Sequence, residues 1–386
     1  MLPYFFVAVL VWSFSFLEFF AGRKRVFILS CFSVFLFIVF RFETGYDWPN
    51  YADLYLVLPE FGSYDISKVM VGADQYNMEP VFAIFISWIK VLFGGNFQWV
   101  IFFQSVLLVG SLAFLISNLP NSRASVFAVC FSWLVFSLYF SVLRQSVSVS
   151  LFWMGVAFYF KDKRWSSCWL FFASILFQYS AVAYLLVFLV SLRQYTKRFM
   201  WMVFLACLFL SFFSEQLVGS LLAPLAVLDF SFVGSKVSFY LYDRQASINI
   251  ADKMYVYCLG VFLGPVVIWF SSRCDGFIKY CCLSGFWFLC VAFLFFDFQV
   301  FRYRLQYFCY PFLFVAFYEW LKFVKIELRA LGFFGVVMAS FIYIFMFLNK
   351  ENSKPFVPYQ FFPYYYLYDV SSDGRYRVYM AKDQDI

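Results

Sequence analysis

Long apolar runs separated by short charged breaks fill the chain from its start to about residue 348. Many of these runs approach the roughly 20 apolar residues that a membrane-crossing helix needs. Backbone groups in lipid must be hydrogen-bonded within the segment or within a closed barrel, and the period-two alternation of a barrel strand is absent. The pattern therefore predicts an all-α fold, a polytopic transmembrane helical bundle.

The runs predict about twelve spanning helices, at 3–21, 26–40, 97–117, 124–143, 147–160, 165–177, 180–192, 199–213, 254–271, 279–296, 305–321 and 331–348. The run 80–93 is short for a span, and we interpret it as a re-entrant or interfacial helix. If this run crossed the membrane, every later loop would change sides.

Charge supports that interpretation. The chain is 64% hydrophobic, with a mean hydropathy of +0.80 and a net charge of +7. When 80–93 does not cross, 15 of the 29 lysines and arginines fall on the short loops of one side, as the positive-inside rule expects for the cytoplasm. The basic residues form no single stripe, so nucleic acid is not an expected partner.

The same topology places both termini outside. It predicts one transmembrane domain over 1–348, with outer-face loops at 41–79 and 214–253. A tail rich in Tyr and Pro follows at 349–386, also on the outer face.

Histidine is absent from the chain, and this restricts the chemistry. Without imidazole, the usual general base and most zinc, copper and iron sites are lost. The ten cysteines lie almost all in apolar runs and include no Cys-x-x-Cys pair, which indicates small apolar filler. We therefore expect no metal and no cofactor.

The segment 41–79 is the first polar stretch of the chain. It contains seven of the 22 carboxylates. Asp47 and Glu79 are the candidate general bases. Asp47 is the preferred candidate, because Gly45 allows a close backbone approach. We interpret the segment as the polar wall of an active site. The alternative is an ordinary solvated loop between membrane helices.

Three arginines lie at predicted outer helix ends: Arg144, Arg302 and Arg304. Charges at membrane helices are costly and usually functional, and guanidinium groups bind phosphate oxygens in pairs. Together with the carboxylates they predict an anionic ligand site. The alternative is that each arginine pairs with a nearby carboxylate, as Arg302 could with Asp297.

The order of these motifs resembles a known family. Arg41-x3-Gly45-x-Asp47-x3-Tyr51, Glu79-Pro80 before a short helix and Arg144-Gln145 resemble the EpsG-type branch of the Wzy O-antigen and exopolysaccharide polymerases. So do Gln178-Tyr179-Ser180-Ala181, the segment from Arg302 to Tyr307, and Pro358-Tyr359. At position 178 the family commonly has histidine.

The resemblance implies a GT-C-like membrane glycosyltransferase of the bacterial inner membrane, with its active site facing the periplasm. It would join undecaprenyl-pyrophosphate-linked oligosaccharide repeat units into O-antigen of lipopolysaccharide, capsule or exopolysaccharide. Membrane lipid and a chain-length regulator protein are the other partners implied.

The combined expectation assigns a catalytic role to Asp47, Glu79, Arg144, Arg302 and Arg304, the arginines binding the pyrophosphate. It assigns substrate binding to Arg41, Gly45, Tyr51, Asp53, Gln178, Arg244 and Tyr307.

Two other functions remain open on the sequence. A lipid-linked oligosaccharide flippase would also need arginines in a cavity, but it favours charges along a path at mid-membrane and a structural repeat. Neither pattern is apparent here. A ligase that moves finished chains onto another acceptor would share the chemistry.

Overall fold

A computed structural model describes residues 1–60, 65–119, 122–227, 250–350 and 353–382. Within these ranges the chain is helical and contains no β-strand, only an isolated antiparallel bridge between Arg41 and Phe361. The predicted all-α class is confirmed.

The helices of the first half of the chain are α1 (Leu2–Ala21), α2 (Val26–Val39), α3 (Trp48–Val57), α4 (Ile66–Gln75), α5 (Pro80–Phe93), α6 (Gln98–Ile116), α7 (Arg123–Leu134), α8 (Leu143–Tyr159) and α9 (Arg164–Phe177). The later helices are α10 (Ala181–Ser191), α11 (Lys197–Leu210), α12 (Ser214–Val227), α13 (Ile250–Ser271), α14 (Gly276–Leu294), α15 (Gln299–Leu321), α16 (Ile326–Leu348), α17 (Phe362–Tyr368) and α18 (Gly374–Lys382).

Five of the described helices are long and apolar enough to cross a membrane: Leu2–Ala21, Gln98–Ile116, Lys197–Ser220, Gly276–Leu294 and Ile326–Leu348. Shorter apolar helices accompany them, at Val26–Val39, Pro80–Phe93, Arg123–Tyr139, Ala181–Ser191 and Val256–Ser271. The chain is therefore a multi-pass membrane protein. The count of about twelve spans and the GT-C-like fold stay predictions.

Two compact units make up the chain. The first unit comprises Met1–Val182 and Lys325–Ile386, and the second comprises Ala183–Val324. The first unit therefore contains α1–α9, α16 and the two tail helices, while nearly all of α10 and the whole of α11–α15 belong to the second.

In the first unit, several helix ends meet at one level, which we call the Arg41 end. The Tyr4 hydroxyl at the start of α1 donates to the Phe356 carbonyl at 2.8 Å. Gln98 Nε2, at the start of α6, donates to the Val39 and Arg41 carbonyls at 2.5 and 3.0 Å. The start of α1, the end of α2, the start of α6 and the tail therefore lie together.

The opposite level, the Glu18 end, collects basic residues. The buried carboxylate of Glu18 accepts from the Ala124 backbone N–H at 2.5 Å, where it caps the start of α7. Lys161 lies 3.8 Å from the centre of the Phe114 ring, at the end of α6. Arg23, Lys24, Arg25, Arg123, Lys163 and Arg164 lie on the loops and helix starts of this end. This grouping agrees with the charge argument made from the sequence.

Helix α5 lies beside α3 at the Arg41 end. Tyr51 packs edge-on against Phe82 at the start of α5, with ring centres 5.6 Å apart. At the other end of α5, Lys90 Nζ donates to the Leu58 carbonyl at 2.6 Å, where a cation stabilises the carbonyl end of α3. The chain between α2 and α6 therefore leaves and returns at the same level, the Arg41 end. That α5 does not cross the membrane stays a prediction.

The segment 41–79 differs from the predicted loop, because it contains α3 and α4. Pro49 lies in the first turn of α3, where proline loses no helical hydrogen bond. Gly45 does depart from regular structure, with φ of +113°.

The tail packs on this segment. The Phe42 backbone N–H donates to Gln360 at 3.0 Å, and the Phe362 N–H donates to the Phe40 carbonyl at 2.8 Å. The tail is thus part of the first unit.

Candidate active site

An arginine–carboxylate pair joins α8 to α5 at the Arg41 end. Arg144, in the first turn of α8, forms an ion pair with Glu79 through Nη1 and Oε2. The same Nη1 donates to the Asn77 carbonyl at 3.2 Å. Glu79 is only 2% exposed and Arg144 is 20% exposed. Two charges in such a place are stable only when they are paired.

Local sequence explains how the pair forms. Glu79 precedes Pro80, which begins α5, so the Glu79 backbone is extended (φ −65°, ψ 135°) and its side chain leaves the helix start. Arg144 follows the bend at Val142, the residue that precedes α8. The two helix starts thus bring residues 65 positions apart into contact.

Tyr51 and Asp47 complete the group from α3. They are four residues apart and therefore share one face of the helix start. Burial raises the pKa of Tyr51, the Asp47 carboxylate acts in the same direction, and Arg144 opposes them. The Arg144 backbone also hydrogen-bonds to the Tyr51 hydroxyl. The structure thus brings together four predicted site residues, Asp47, Tyr51, Glu79 and Arg144.

One donor of this group has no partner in the described part of the chain. Arg144 Nε is buried and makes no hydrogen bond there. A buried guanidinium donor without an acceptor costs free energy, and an anionic oxygen would satisfy it. The group can therefore offer a positive donor beside a half-buried carboxylate, Asp47.

Arg41 has different partners. Its Nη1 donates to the Tyr139 carbonyl, and its Nη2 lies 3.5 Å from Gln104 Oε1. The guanidinium carbon also lies 4.9 Å from the centre of the Phe140 ring. Tyr139 ends the π-helical turn that extends α7, so Arg41 satisfies a carbonyl at a helix end.

Gly45 is held by close packing. A Cβ at this position would lie 2.3 Å from the Phe140 carbonyl oxygen. Its backbone N–H donates to the Pro355 carbonyl at 3.2 Å. The close approach expected of Gly45 is therefore an approach to protein backbone, on the segment that leads to Arg144.

Asp53 pairs with the tail. Arg375 donates to both carboxylate oxygens of Asp53, at 2.7 and 3.2 Å. Both side chains are part exposed, at 43% for Arg375 and 30% for Asp53.

Gln178 lies at the end of α9, buried, and its Oε1 has no hydrogen-bond partner among the described residues. Helices α8 and α9 are antiparallel, and the hydroxyls of Ser148 and Ser174 lie 3.0 Å apart. Arg144 lies four residues before Ser148, and Gln178 lies four residues after Ser174. Because the helices are antiparallel, Arg144 and Gln178 lie at the same level of this helix pair. Gln178 thus belongs to the neighbourhood of the Arg144 group.

The remaining predicted residues belong to the second unit. Arg302 is 2% exposed and its Nη1 donates to the Phe296 carbonyl at 2.9 Å, close after the end of α14. Its Nε is buried without a partner among the described residues. The Arg304 carbonyl accepts from the Tyr184 hydroxyl at 3.1 Å, and Tyr307 is 9% exposed. Arg244 lies outside the described residues.

Asp297, which the alternative interpretation pairs with Arg302, accepts from the Ser214 hydroxyl. The roles of Arg302 and Arg304 in binding pyrophosphate stay predictions.

Sequence reasoning missed three side chains near the predicted group. Trp48 is 6% exposed, and its indole N–H has no partner within the described ranges. Arg375 and Gln98 fix the tail and the start of α6. Trp48 follows Asp47 in the motif, and this position could have identified it as a candidate site residue. No sequence feature near Arg375 identified it as a residue of this region.

No group of three or more Cys, Asp or Glu side chains that could hold a metal ion occurs in the part of the chain that the structure describes. The arrangement of the first unit offers hydrogen-bond donors, a buried ion pair and carboxylates instead.

Apolar helices of membrane-crossing length and a charged group at one end of them define a polytopic membrane protein with a polar site. Residues 24–361 match the model of the EpsG family. The match covers most of the chain, which therefore belongs to the EpsG family, and membership indicates a membrane polysaccharide polymerase. No curated protein and no solved structure matches the chain.

Proposed function

We propose that this protein is a glycosyltransferase that polymerises undecaprenyl-pyrophosphate-linked oligosaccharide repeat units. The observation that carries the proposal is the Arg144–Glu79 pair with Asp47 and Tyr51 beside it. Family membership supplies the reaction class, and this group supplies the two functions that the reaction needs: a base and a cation for the leaving group.

In the proposed reaction an acceptor sugar hydroxyl attacks the anomeric carbon of the donor chain. A carboxylate takes the hydroxyl proton as the new glycosidic bond forms, and the bond from the anomeric carbon to the pyrophosphate oxygen breaks. The electron pair leaves with lipid pyrophosphate, whose developing charge must be stabilised. Atoms and charges balance without a further co-reactant.

Asp47 is the better placed base of the two carboxylates. Glu79 is buried and forms an ion pair with Arg144 through Oε2, so protonation of Glu79 would break that pair. Asp47 is half-buried at the start of α3 and interacts electrostatically with Tyr51 and Arg144. Proton transfer to Asp47 leaves the ion pair intact.

Arg144 is the pyrophosphate ligand that the first unit offers. Its free Nε and its partly exposed guanidinium can bind phosphate oxygens without breaking the contact to Glu79. Arg302 and Arg304 are also proposed as pyrophosphate ligands, and Arg302 has an unpartnered Nε in the described structure. Gln178, Tyr51 and Tyr307 are proposed to hydrogen-bond sugar hydroxyls, and Arg244 to bind substrate.

Orientation is part of the proposal. The basic loops gather at the Glu18 end of the first unit, so we place that end in the cytoplasm and the Arg41 end toward the periplasm. Helix α18 packs at the Arg41 end through Arg375. Alkaline phosphatase fused after Ile386 should therefore be active in cells; an inactive enzyme in a stably expressed fusion would contradict the orientation.

Reconstitution tests the activity. Purified protein in liposomes receives a synthetic undecaprenyl-pyrophosphate-linked repeat unit with EDTA present, and products are separated on a gel. We expect a ladder from the natural sequence and from Arg164→Ala, an exposed arginine at the Glu18 end. Arg144→Ala should give none. Movement of labelled lipid across the bilayer without a ladder would identify a flippase instead.

A further inference from the structure

A cavity of about 110 Å³ lies in the first unit, between α3, the start of α6 and the segment that follows Arg41. Trp48 and Ala52 form its α3 wall, and Asn96 and Gln98 form its α6 wall. The cavity is on a different face of α3 from the Arg144 group, because Trp48 and Ala52 are each one residue, or about 100°, beyond Asp47 and Tyr51.

The polar groups of the cavity include both hydrogen-bond donors and a hydrogen-bond acceptor. The buried indole N–H of Trp48 is a donor without a partner within the described ranges. Asn96 uses its Oδ1 to accept from the Gln98 backbone N–H at 2.8 Å, which leaves its NH₂ group as a donor. Gln98 donates from Nε2 to two carbonyls, which leaves its Oε1 as an acceptor. A ligand that is both donor and acceptor suits this wall.

Charge argues against an anionic occupant. Glu43 is one of the lining residues, and its negative charge would repel an anion. Arg41 also lines it, but the guanidinium is directed to the Tyr139 carbonyl and to Gln104. The cavity thus differs from the Arg144 group, where a guanidinium donor is unpartnered in the described structure.

The tail encloses the cavity wall. Arg375 lies 5.9 Å from the centre of the Trp48 ring while it donates to Asp53. Gly374, the first residue of α18, packs so tightly on Glu43 that a Cβ would lie 2.5 Å from the Glu43 Cβ. Two lining residues are therefore held in place by the C-terminal segment.

We propose that this cavity is a subsite for one uncharged sugar ring of the oligosaccharide, next to the ring that reacts. The inference rests on the proposed function. Hydroxyl groups both donate and accept, so a pyranose matches the free groups of Trp48, Asn96 and Gln98. The indole adds an apolar face for the ring. The Arg144 group, about 100° around α3 from the cavity, takes the reacting ring and the pyrophosphate.

Binding is tested by saturation-transfer NMR on the full-length protein in detergent. The probes are methyl glucoside, methyl N-acetylglucosaminide and methyl glucuronide. We expect saturation of at least one neutral glycoside and none of the glucuronide. Ala52→Phe fills the cavity and should abolish the signal, whereas Ala21→Trp, which adds a ring at an exposed position of α1, should preserve it.

A second variant keeps the test valid if Ala52→Phe does not fold. Trp48→Phe retains an aromatic ring and removes only the indole N–H, so it should weaken binding of the neutral glycoside roughly tenfold. In the polymerase assay both variants should raise KM for the lipid-linked repeat unit more than they lower kcat. Saturation that survives both substitutions, or none for any neutral glycoside, would mean that the cavity holds only water.

The two proposals can fail separately. If both cavity variants produced a ladder with an unchanged KM for the lipid-linked repeat unit, the sugar subsite would be contradicted and the polymerase function would still be supported. Cavity-dependent saturation without a ladder from the natural sequence would remove the polymerase and leave a sugar site.

Discussion

Arg144 and Arg41 are arginines at the same end of the first unit, but their partners differ. Arg41 meets a helix-end carbonyl, an amide oxygen and an aromatic ring. Arg144 meets a carboxylate and keeps one buried donor unpartnered within the described structure. Neutral partners at fixed backbone positions hold a structure together, while an incompletely bonded cation beside a base can bind an anion.

This difference shows that a charged side chain at a membrane surface is not by itself evidence of a catalytic role. Lys90 and Glu18 are also buried and charged, and both bond to backbone groups at helix ends. In the second unit Arg302 donates to the Phe296 carbonyl in the same manner, although its Nε is unpartnered among the described residues. Arg302 therefore resembles Arg41 in donating to a backbone carbonyl and resembles Arg144 in having an unpartnered Nε among the described residues.

The largest effect is expected at Arg144. Replacing it with alanine removes the proposed phosphate donor and strands the buried Glu79 carboxylate. We expect the polymerisation rate to fall by about 100-fold or more, and the free energy of unfolding to fall by about 3 kcal/mol. Rate is measured in the liposome assay, and unfolding by thermal melting in detergent.

Glu79 separates these two effects. In the double variant Arg144→Ala with Glu79→Gln, the stranded charge is gone, so the melting temperature should recover while the ladder stays absent. If the ladder returned with stability, Arg144 would act through folding alone, and its role in catalysis would be excluded.

Arg41→Met should lower stability more than turnover. The substitution keeps an apolar chain of similar length but leaves the Tyr139 carbonyl and Gln104 without their donor. We expect a loss of about 3 kcal/mol in the free energy of unfolding, with the rate per folded molecule within about tenfold of the original.

Arg25→Met is the matched control, because Arg25 is exposed at the Glu18 end; it should leave stability unchanged. A lost ladder in an Arg41→Met protein of normal stability would show that Arg41 contacts substrate, as the sequence led us to expect, and would erase the contrast with Arg144.

Gly45→Ala should affect both regions. The added Cβ would lie 2.3 Å from the Phe140 carbonyl oxygen and the residue would keep a positive φ, a strain of about 2 kcal/mol. Because Phe140 lies between Tyr139 and Arg144 in the chain, relief of this contact would displace the turn before α8.

Gly110→Ala is its control, since a Cβ there has no neighbour within 4 Å and alanine favours the helix. We expect a lower melting temperature and slower polymerisation for Gly45→Ala, and neither for Gly110→Ala. Equal melting temperatures in the two variants would contradict the close packing at Gly45.

The sequence predicts the apolar elements well because their signal is local. The short pair of helices predicted at 165–177 and 180–192 is observed as α9 and α10, within one residue at all four ends. Asp47 and Tyr51 share a helix face, and their four-residue spacing contained that information. The helices of the 41–79 segment were missed because its Gly, Pro and carboxylates outweighed a weak helical pattern.

The partners of charged residues could not be predicted, because they depend on packing between distant segments. Asp53 and Arg375 are 322 positions apart, and nothing near Asp53 identifies the tail as its partner. Likewise Arg144 could have paired with any of several carboxylates, and only the tertiary structure that brings the starts of α5 and α8 together selects Glu79.

The smallest effect is expected at this tail contact, which tests whether every charge pair at the Arg41 end matters equally. Both side chains of the Asp53–Arg375 pair are part exposed, and exposed pairs contribute less than about 1 kcal/mol. Asp53→Asn and Arg375→Gln should therefore each change the melting temperature slightly, and the double variant should change it no more than the larger single one. If Asp53→Asn instead abolished polymerisation at an unchanged melting temperature while Arg375→Gln did not, Asp53 would act on the sugar directly. The functional part of this end would then extend beyond the Arg144 group to the exposed face of α3.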